Sequence, residues 1–255
     1  MARIDTVDVD TDHVDVALAG NPNAGKTTVF NAITGAHQHV GNYPGVTVEK
    51  KEGLREVGDR QVHVVDLPGT YSLTAYSLEE VVARNYVIDE QPDVVIDVVD
   101  ASNLERNLYL TTQFIELGVP VVVCLNMVDV AESMGRQIDV DLLSDLIGVP
   151  VVPTVASKGR GVEELLQVAL ETAERERQPA RQVRYGHELE SHIAEITALI
   201  EDSGGLPGAP SRWAAIKLLE DDEEVRSDVE HEIAEGSVLL RRVEGVRAHL
   251  EAVIG

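Results

Sequence analysis

The sequence predicts an α/β protein: a mostly parallel sheet with helices on both faces, followed by a small all-helical domain. Three observations predict it. Short β-branched apolar runs alternate with segments of helical period over residues 14–174, the pattern of βαβ units with buried parallel strands. The first run leads into a glycine-bearing turn, Gly20-Asn21-Pro22-Asn23-Ala24-Gly25-Lys26-Thr27, and then into a helical segment. After Tyr185 strand-like runs cease, and apolar stripes recur at the helical spacings of three, four and seven.

Residues 14–19 read as a buried strand, and 27–34 as the helix after the turn. The polar, glycine-bearing segment 35–44 reads as a loop. Residues 46–57, charged through the middle, read as an exposed edge strand. Gly58-Asp59 reads as a hairpin turn into the strand 62–65, which ends at Asp66. A loop follows over 67–77, then a helix through about Ile88. The second half repeats the alternation: strand 94–99, helix 104–117, strand 119–125, short helix 140–147, last strand at Val151 and Val152, helix 162–174. Ligands of such sheets bind at the carboxyl ends of the strands, where the turn, Asp66, Asn126 and Ala156 all fall.

Composition shifts after Ala173, and a charged, proline-broken stretch suggests the division 1–175, linker 176–185, helical domain 186–255. In the last part Leu189, Ile193, Ile196 and Ile200 share one helical face. Ser211 is a candidate N-cap for a helix through Trp213. Asp221 and Asp222 precede a helix carrying Val225, Val229 and Ile233. Leu239, Val243, Val246 and Leu250 stripe a final one. These stripes read as core.

Asp and Glu number 45 against 21 Lys and Arg, a formal net charge of −24. That argues against a nucleic-acid surface, which needs a basic patch. No apolar run approaches the ~20 residues of a membrane span, and the acidic first fifteen residues lack a signal-peptide core. The expected location is the cytoplasm. Cys124, the single cysteine, sits in an apolar run and reads as a buried, inert thiol.

The turn at Gly20 to Thr27 has the strand–loop–helix context of a phosphate-binding loop. Glycines let several N–H groups converge on a polyphosphate at the positive end of a helix dipole. Lys26 reaches the β- and γ-phosphates, and the Thr27 hydroxyl is a Mg²⁺ ligand. Asp66-Leu67-Pro68-Gly69 at a strand end is by itself a turn. Downstream of a phosphate loop, Asp66 can hold Mg²⁺ through water, and the Gly69 N–H can meet a γ-phosphate. Asn126-Met127-Val128-Asp129 ends another strand. Its Asp129 carboxylate can accept two hydrogen bonds from the guanine edge, which adenine lacks, while Asn126 braces the site. Alone, this too is a capping turn. Ala156 can offer its N–H to the guanine O6. Thr47 can complete the Mg²⁺ shell once a γ-phosphate is present and so sense the loaded state. His37 and His39 have no carboxylate or cysteine at ligand spacing and read as surface residues.

In chain order these segments resemble the five motifs of the Ras-like P-loop GTPase superfamily. More narrowly, they resemble the cytoplasmic G domain of the ferrous-iron transport protein B (FeoB) family. The first switch segment, Gln38-His-Val-Gly-Asn-Tyr-Pro-Gly-Val-Thr-Val-Glu-Lys-Lys-Glu-Gly53, is the most specific carrier, and Met127 within Asn-x-x-Asp is a family mark. The resemblance implies GTP hydrolysis that drives or gates Fe²⁺ uptake through a membrane domain or subunit. It adds Thr28 and Gly45 to the nucleotide-contacting set and matches the tail to the family's helical dissociation-inhibitor domain. It further implies that Asn23 ligates K⁺ beside the phosphates, with Lys26, Asn23, Thr47 and Gly69 the catalytic set. The chain is then either part of a longer protein or a G protein working with a separate membrane subunit. The other reading of the same motifs is an RNA- or ribosome-associated GTPase.

Departures from the family pattern, and from the wider superfamily, carry expectations of their own. Tyr43 replaces the usual tryptophan in what reads as a mobile loop. Val155-Ala156-Ser157 lacks the small polar residue before the alanine, and Met127 brings no charge, so nucleotide affinity is expected to be weak and GDP release quick. Thr70 stands where Ras has its water-positioning glutamine, so turnover is expected to be slow and to lean on electrostatics, K⁺ included. The acidic excess, whose self-repulsion salt screens, implies a salt-rich cytoplasm. Circular dichroism in molar KCl should show the fold retained; unfolding as KCl is added would refute this.

Overall fold

The computed structural model describes residues 13–35, 37–175 and 183–254. The segment before His13 and most of the expected linker, 176–182, lie outside the described residues. A seven-stranded sheet runs in the order β2-β3-β4-β1-β5-β6-β7 among the described residues. Its strands are β1 (His13–Gly20), β2 (Gln38–Asn42), β3 (Glu49–Val57), β4 (Arg60–Asp66), β5 (Val94–Asp100), β6 (Val121–Asn126) and β7 (Val151–Pro153). β4, β1, β5, β6 and β7 run parallel, and β2 and β3 extend the sheet antiparallel. β5 and β6 are valine-rich and buried along nearly their whole length because helices cover both their faces, with Asp97 the one polar residue inside β5. The chain leaves β1 for β4 on one side and returns to β5 on the other. The carboxyl end of β1 is therefore where a crevice opens.

On one face lie α1 (Lys26–Thr34) and α6 (Val162–Glu174), burying Phe30, Ile33, Leu165 and Leu166 against Leu18, Val64, Ile96 and Cys124. Burial pushes the Cys124 thiol up to about 12, in keeping with an inert thiol. α4 (Val128–Ser133) and α5 (Val140–Ile147) cover the β6–β7 edge. On the other face lie α2 (Leu78–Asp89) and α3 (Leu104–Leu117). Over them pack α7 (His187–Asp202), α8 (Ser211–Leu219), α9 (Glu223–Glu232) and α10 (Gly236–Ile254), in one continuous core with the sheet. The stripes Ile193/Ile196/Ile200, Val225/Val229 and Leu239/Val243/Val246 are buried, as their spacing requires. α8 is apolar nearly all round and sits at the centre of its neighbours, with Trp213 and Leu218 at most 1% exposed.

Charges fasten the two layers. Arg84 of α2, 2% exposed, pairs with Asp222 at 2.9 Å and with Glu224. Its guanidinium also lies 5.8 Å from the Trp213 ring centroid. Asp222 caps α9 through the Val225 N–H at 3.1 Å and accepts the Ala75 N–H at 3.4 Å. Lys217 of α8 is buried yet reaches Glu220 at 2.7 Å and the Thr74 hydroxyl at 3.2 Å. Among the described residues, no helix is long and apolar enough to cross a membrane.

Four local expectations are corrected. Segment 35–44 contains β2, paired with β3 in the register His39↔Glu52. All five of its residues are exposed, so backbone pairing forms it and no apolar period announces it. β3 is consequently an interior strand. Tyr43 is anchored, 6% exposed, its hydroxyl donating to the Asp66 carbonyl at 3.3 Å. Ser211 is the first helical residue of α8, and Pro210 takes the preceding position without a side-chain cap.

Asp97 in the middle of β5 is 1% exposed and accepts a 2.5 Å hydrogen bond from Thr111. Burial pushes its carboxyl up to about 7. Between the unfolded value of about 4 and about 7 the native chain holds a proton that the unfolded chain has lost. Asp97 therefore makes stability fall as pH rises through that window, by at most about 1.4 kcal/mol per pH unit. Urea titrations at pH 5 and pH 7 should show Asp97→Asn, which keeps an acceptor for Thr111, losing less stability over the interval than the parent. An unchanged pH dependence would refute the assignment.

Candidate nucleotide-binding site

The site starts where β1 runs out. Gly20 (φ 150°) lets β1 close on β5, since a Cβ there would stand 2.6 Å from the Val98 carbonyl oxygen. The chain then turns through Asn23 (φ 68°) and Gly25 (φ 90°) into α1. Left-handed residues next to a helix start turn consecutive N–H groups into one concavity, at the positive end of the dipole. Lys26, Thr27 and Thr28 form the first turn of α1, with both threonines exposed.

β4 delivers the second group. Lys26 Nζ pairs directly with Asp66, whose side chain is 7% exposed. Burial pushes the Asp66 carboxyl up, and Lys26 draws it back only in part. The segment after β4 is tied to β1 by Leu67 N–H to Leu18 O at 2.9 Å and Thr70 N–H to Gly20 O at 3.3 Å. Gly69 thereby lies against Pro22 of the loop. Thr70 is 4% exposed, whereas Tyr71 is 41% exposed and stacks under the Arg106 guanidinium, 4.1 Å from its ring centroid.

β6 supplies the third group. Asn126 Nδ2 donates to the Ala24 carbonyl at 3.0 Å, and Oδ1 accepts the Ala156 N–H at 3.1 Å and the Thr154 hydroxyl at 3.2 Å. One buried amide thus joins the loop, β6 and the segment after β7. The approach is so close that a Cβ on Gly25 would stand 2.4 Å from Asn126 Nδ2. The Ala156 N–H expected to face a base is engaged by Asn126, so a base must share it or displace it. Met127 (φ 62°) takes the position just before α4 and carries its methyl close to Gly25. α4 escapes a periodicity argument because it has only six residues.

Asp129 lies in the first turn of α4, its carboxylate 2.7 Å from Lys158 Nζ. That ammonium holds the Asp129 carboxyl below the usual carboxylate range. Lys158 and Thr154 lie outside the set expected from sequence; the position of Lys158 two residues after Ala156 is the signal available for it. Side by side at the carboxyl end of the sheet lie the loop from Gly20 through Asn21, Pro22, Asn23, Ala24 and Gly25 to Lys26, and against it Asp66, Gly69, Asn126, Met127 and Ala156; Thr27 is exposed on α1 and Asp129 lies in the first turn of α4. Gly45 and Thr47 lie in the exposed turn between β2 and β3, and the Thr47 side chain makes no hydrogen bond among the described residues. His37 and His39 are also exposed.

The candidate oxygens, the exposed Thr27 hydroxyl and the buried Asp66 carboxylate, are hard donors and suit Mg²⁺ rather than a softer ion. The loop amides and Lys26 suit a polyphosphate, and the Asp129 carboxylate suits a ring edge with paired donors.

The family profile described as Ferrous iron transport protein B matches residues 14–169, and that of the FeoB cytosolic helical domain matches residues 185–255. A crystal structure of an S. thermophilus NFeoB mutant bound to mGDP is 41% identical. It superposes with a TM-score of 0.84 over 95% of this chain and 91% of that one. The cytosolic domain of T. maritima FeoB in apo form gives 37% and 0.80 over 95% and 98%. The Fe(2+) transporter FeoB of Salmonella typhimurium is 48% identical over 212 residues, 81% of this chain and 27% of the relative. The Fe(2+) transport protein A/Fe(2+) transporter FeoB fusion protein of Porphyromonas gingivalis is 49% identical over 216 residues, 83% and 26%. The chain spans about a quarter of the length of these curated relatives.

Asn126→Ala removes partners from three polar groups inside the fold. Leaving such groups unpaired costs on the order of 1–3 kcal/mol each when no water reaches them. Urea denaturation should place the variant on the order of 2–4 kcal/mol below the parent, with Thr154→Val losing less. Equal stability of Asn126→Ala and parent would contradict the bracing role.

Proposed function

The chain belongs to the ferrous-iron transport protein B family, and on that premise we propose that it binds GTP with Mg²⁺ and hydrolyses it to GDP and phosphate, to drive or gate Fe²⁺ uptake through a membrane domain or partner. In this reading residues 1–175 are the nucleotide-binding unit, 186–255 the helical one, and 176–185 the link. The work takes place at the inner face of the cell membrane. The observation that carries the reading is the meeting, at the carboxyl end of β1, of the phosphate loop, Asp66 with Gly69, and Asn126 with Asp129.

The loop N–H groups and Lys26 would hold the β- and γ-phosphates. Thr27 and Asp66, joined by Thr47 in the triphosphate state, would hold Mg²⁺, which neutralises charge on the phosphate oxygens when bound. Asp129 would accept the guanine N1–H and amine once its carboxylate leaves Lys158, while Met127 covers the ring. Water attacks the γ-phosphorus as the bond to the bridging oxygen breaks. With Thr70 buried, no side chain at that position is available to orient the water. Turnover is accordingly slow, and Asn23, exposed at the loop's tip, would hold K⁺ where it offsets developing charge. The acidic balance weighs against the RNA-bound alternative.

Single-turnover hydrolysis in KCl and NaCl tests the reading. GTP should be cleaved faster in KCl, and Asn23→Ala should erase the difference. Asp129→Asn should weaken GDP binding by on the order of 100-fold through loss of charged hydrogen bonds. Equal rates in the two salts would remove the K⁺ role. Binding of adenosine but not guanosine nucleotides would overturn the reading as a whole.

A further inference from the structure

The amino ends of β1 and β4 carry a second cluster, at the opposite end of the strands from the nucleotide crevice. Parallel pairing sets Asp15 opposite His63 and His13 opposite Gln61. Side chains alternate along a strand, so His13, Asp15 and His63 share one face. His63 Nδ1 lies 2.8 Å and His13 Nε2 3.3 Å from the same Asp15 oxygen. One donor atom from each of the three residues falls within 4.8 Å of the others. The two imidazoles stack, with centroids 5.9 Å apart and planes at 22°. Donors bound about 2.0–2.2 Å from one ion stand roughly 3–3.5 Å from each other, so small rotations would converge these three atoms on a common point.

The surroundings support that convergence. Asp93 accepts the Asp15 N–H at 2.8 Å and fixes the start of β1. Glu52 of β3 lies 3.7 Å from the other ring nitrogen of His63, the position of a carboxylate that orients a metal-bound imidazole. The site is open to solvent, with side chains 48%, 46% and 24% exposed for His13, Asp15 and His63. Two imidazoles with one carboxylate favour first-row divalent transition ions over Mg²⁺ or Ca²⁺. The eight residues of β1, at about 3.3 Å each, separate the cluster from the phosphate loop, so this would be a second ion site.

We propose that His13, Asp15 and His63 bind one divalent transition-metal ion of the Fe²⁺, Co²⁺ and Zn²⁺ group, leaving the remaining coordination positions to water. The chain, stripped of metal and then saturated with GDP and Mg²⁺ to occupy the crevice, is titrated with Co²⁺ and followed by calorimetry and visible absorbance. One equivalent should bind saturably. His13→Gln, at an exposed position that leaves the fold intact, should weaken it by at least about tenfold, as should His63→Gln. The double substitution of His37 and His39 by Gln should leave it unchanged. Absence of saturable Co²⁺ binding up to millimolar concentration, or binding that both His13→Gln and His63→Gln leave intact, would overturn the proposal.

Discussion

The side chain of Asn126 is the constraint on which the crevice depends. Three segments far apart in sequence, at Ala24, Asn126 and Ala156, meet on one primary amide. Its donor and acceptor are both used, so shifting any one segment leaves a polar group unpaired away from water. The same closeness explains why Gly25 has no Cβ. Protein contacts thus hold the loop's shape, and a concavity of N–H groups held in this way costs little reorganisation when a phosphate enters.

The second organising contact lies behind the crevice. The segment after Asp66 is held at Gly69 against the loop and at Thr74 and Ala75 against α8 and α9. Arg84 and Asp222 sit under that segment, and the Arg84 guanidinium also lies 3.5 Å from the Leu73 carbonyl. Two buried charges are tolerated because each is paired and hydrogen-bonded; removal of either would strand the other. Any change in the path of residues 67–77 must therefore be accommodated by α8 and α9. This gives the helical layer a physical link to whatever occupies the crevice.

Electrostatics set a further condition. A chain of net charge −24 repels a polyphosphate at long range, so attraction must be local. Lys26, the loop amides and the α1 dipole act within a few ångströms, where screening by salt is weakest. Asp66 and Asp129, the two carboxylates assigned to the proposed ligand and its Mg²⁺, are each paired with a lysine.

The sequence by itself determined the fold class, the order of nearly all strands and helices, and the residues at the carboxyl ends of β1, β4 and β6. These follow from local causes: alternation of β-branched runs with helical spacing, and glycines where the backbone turns sharply. Arguments from apolar period have no purchase on β2, whose five exposed residues are ordered by pairing alone, or on the short helix α4. Tertiary structure alone decided the pairing of Lys158 with Asp129, the burial of Tyr43 on Asp66, the docking of Arg84 on Asp222 and the convergence of His13 with His63. Each joins residues far apart in the chain, and such pairs are chosen by strand register and helix packing, which no local pattern of side chains encodes.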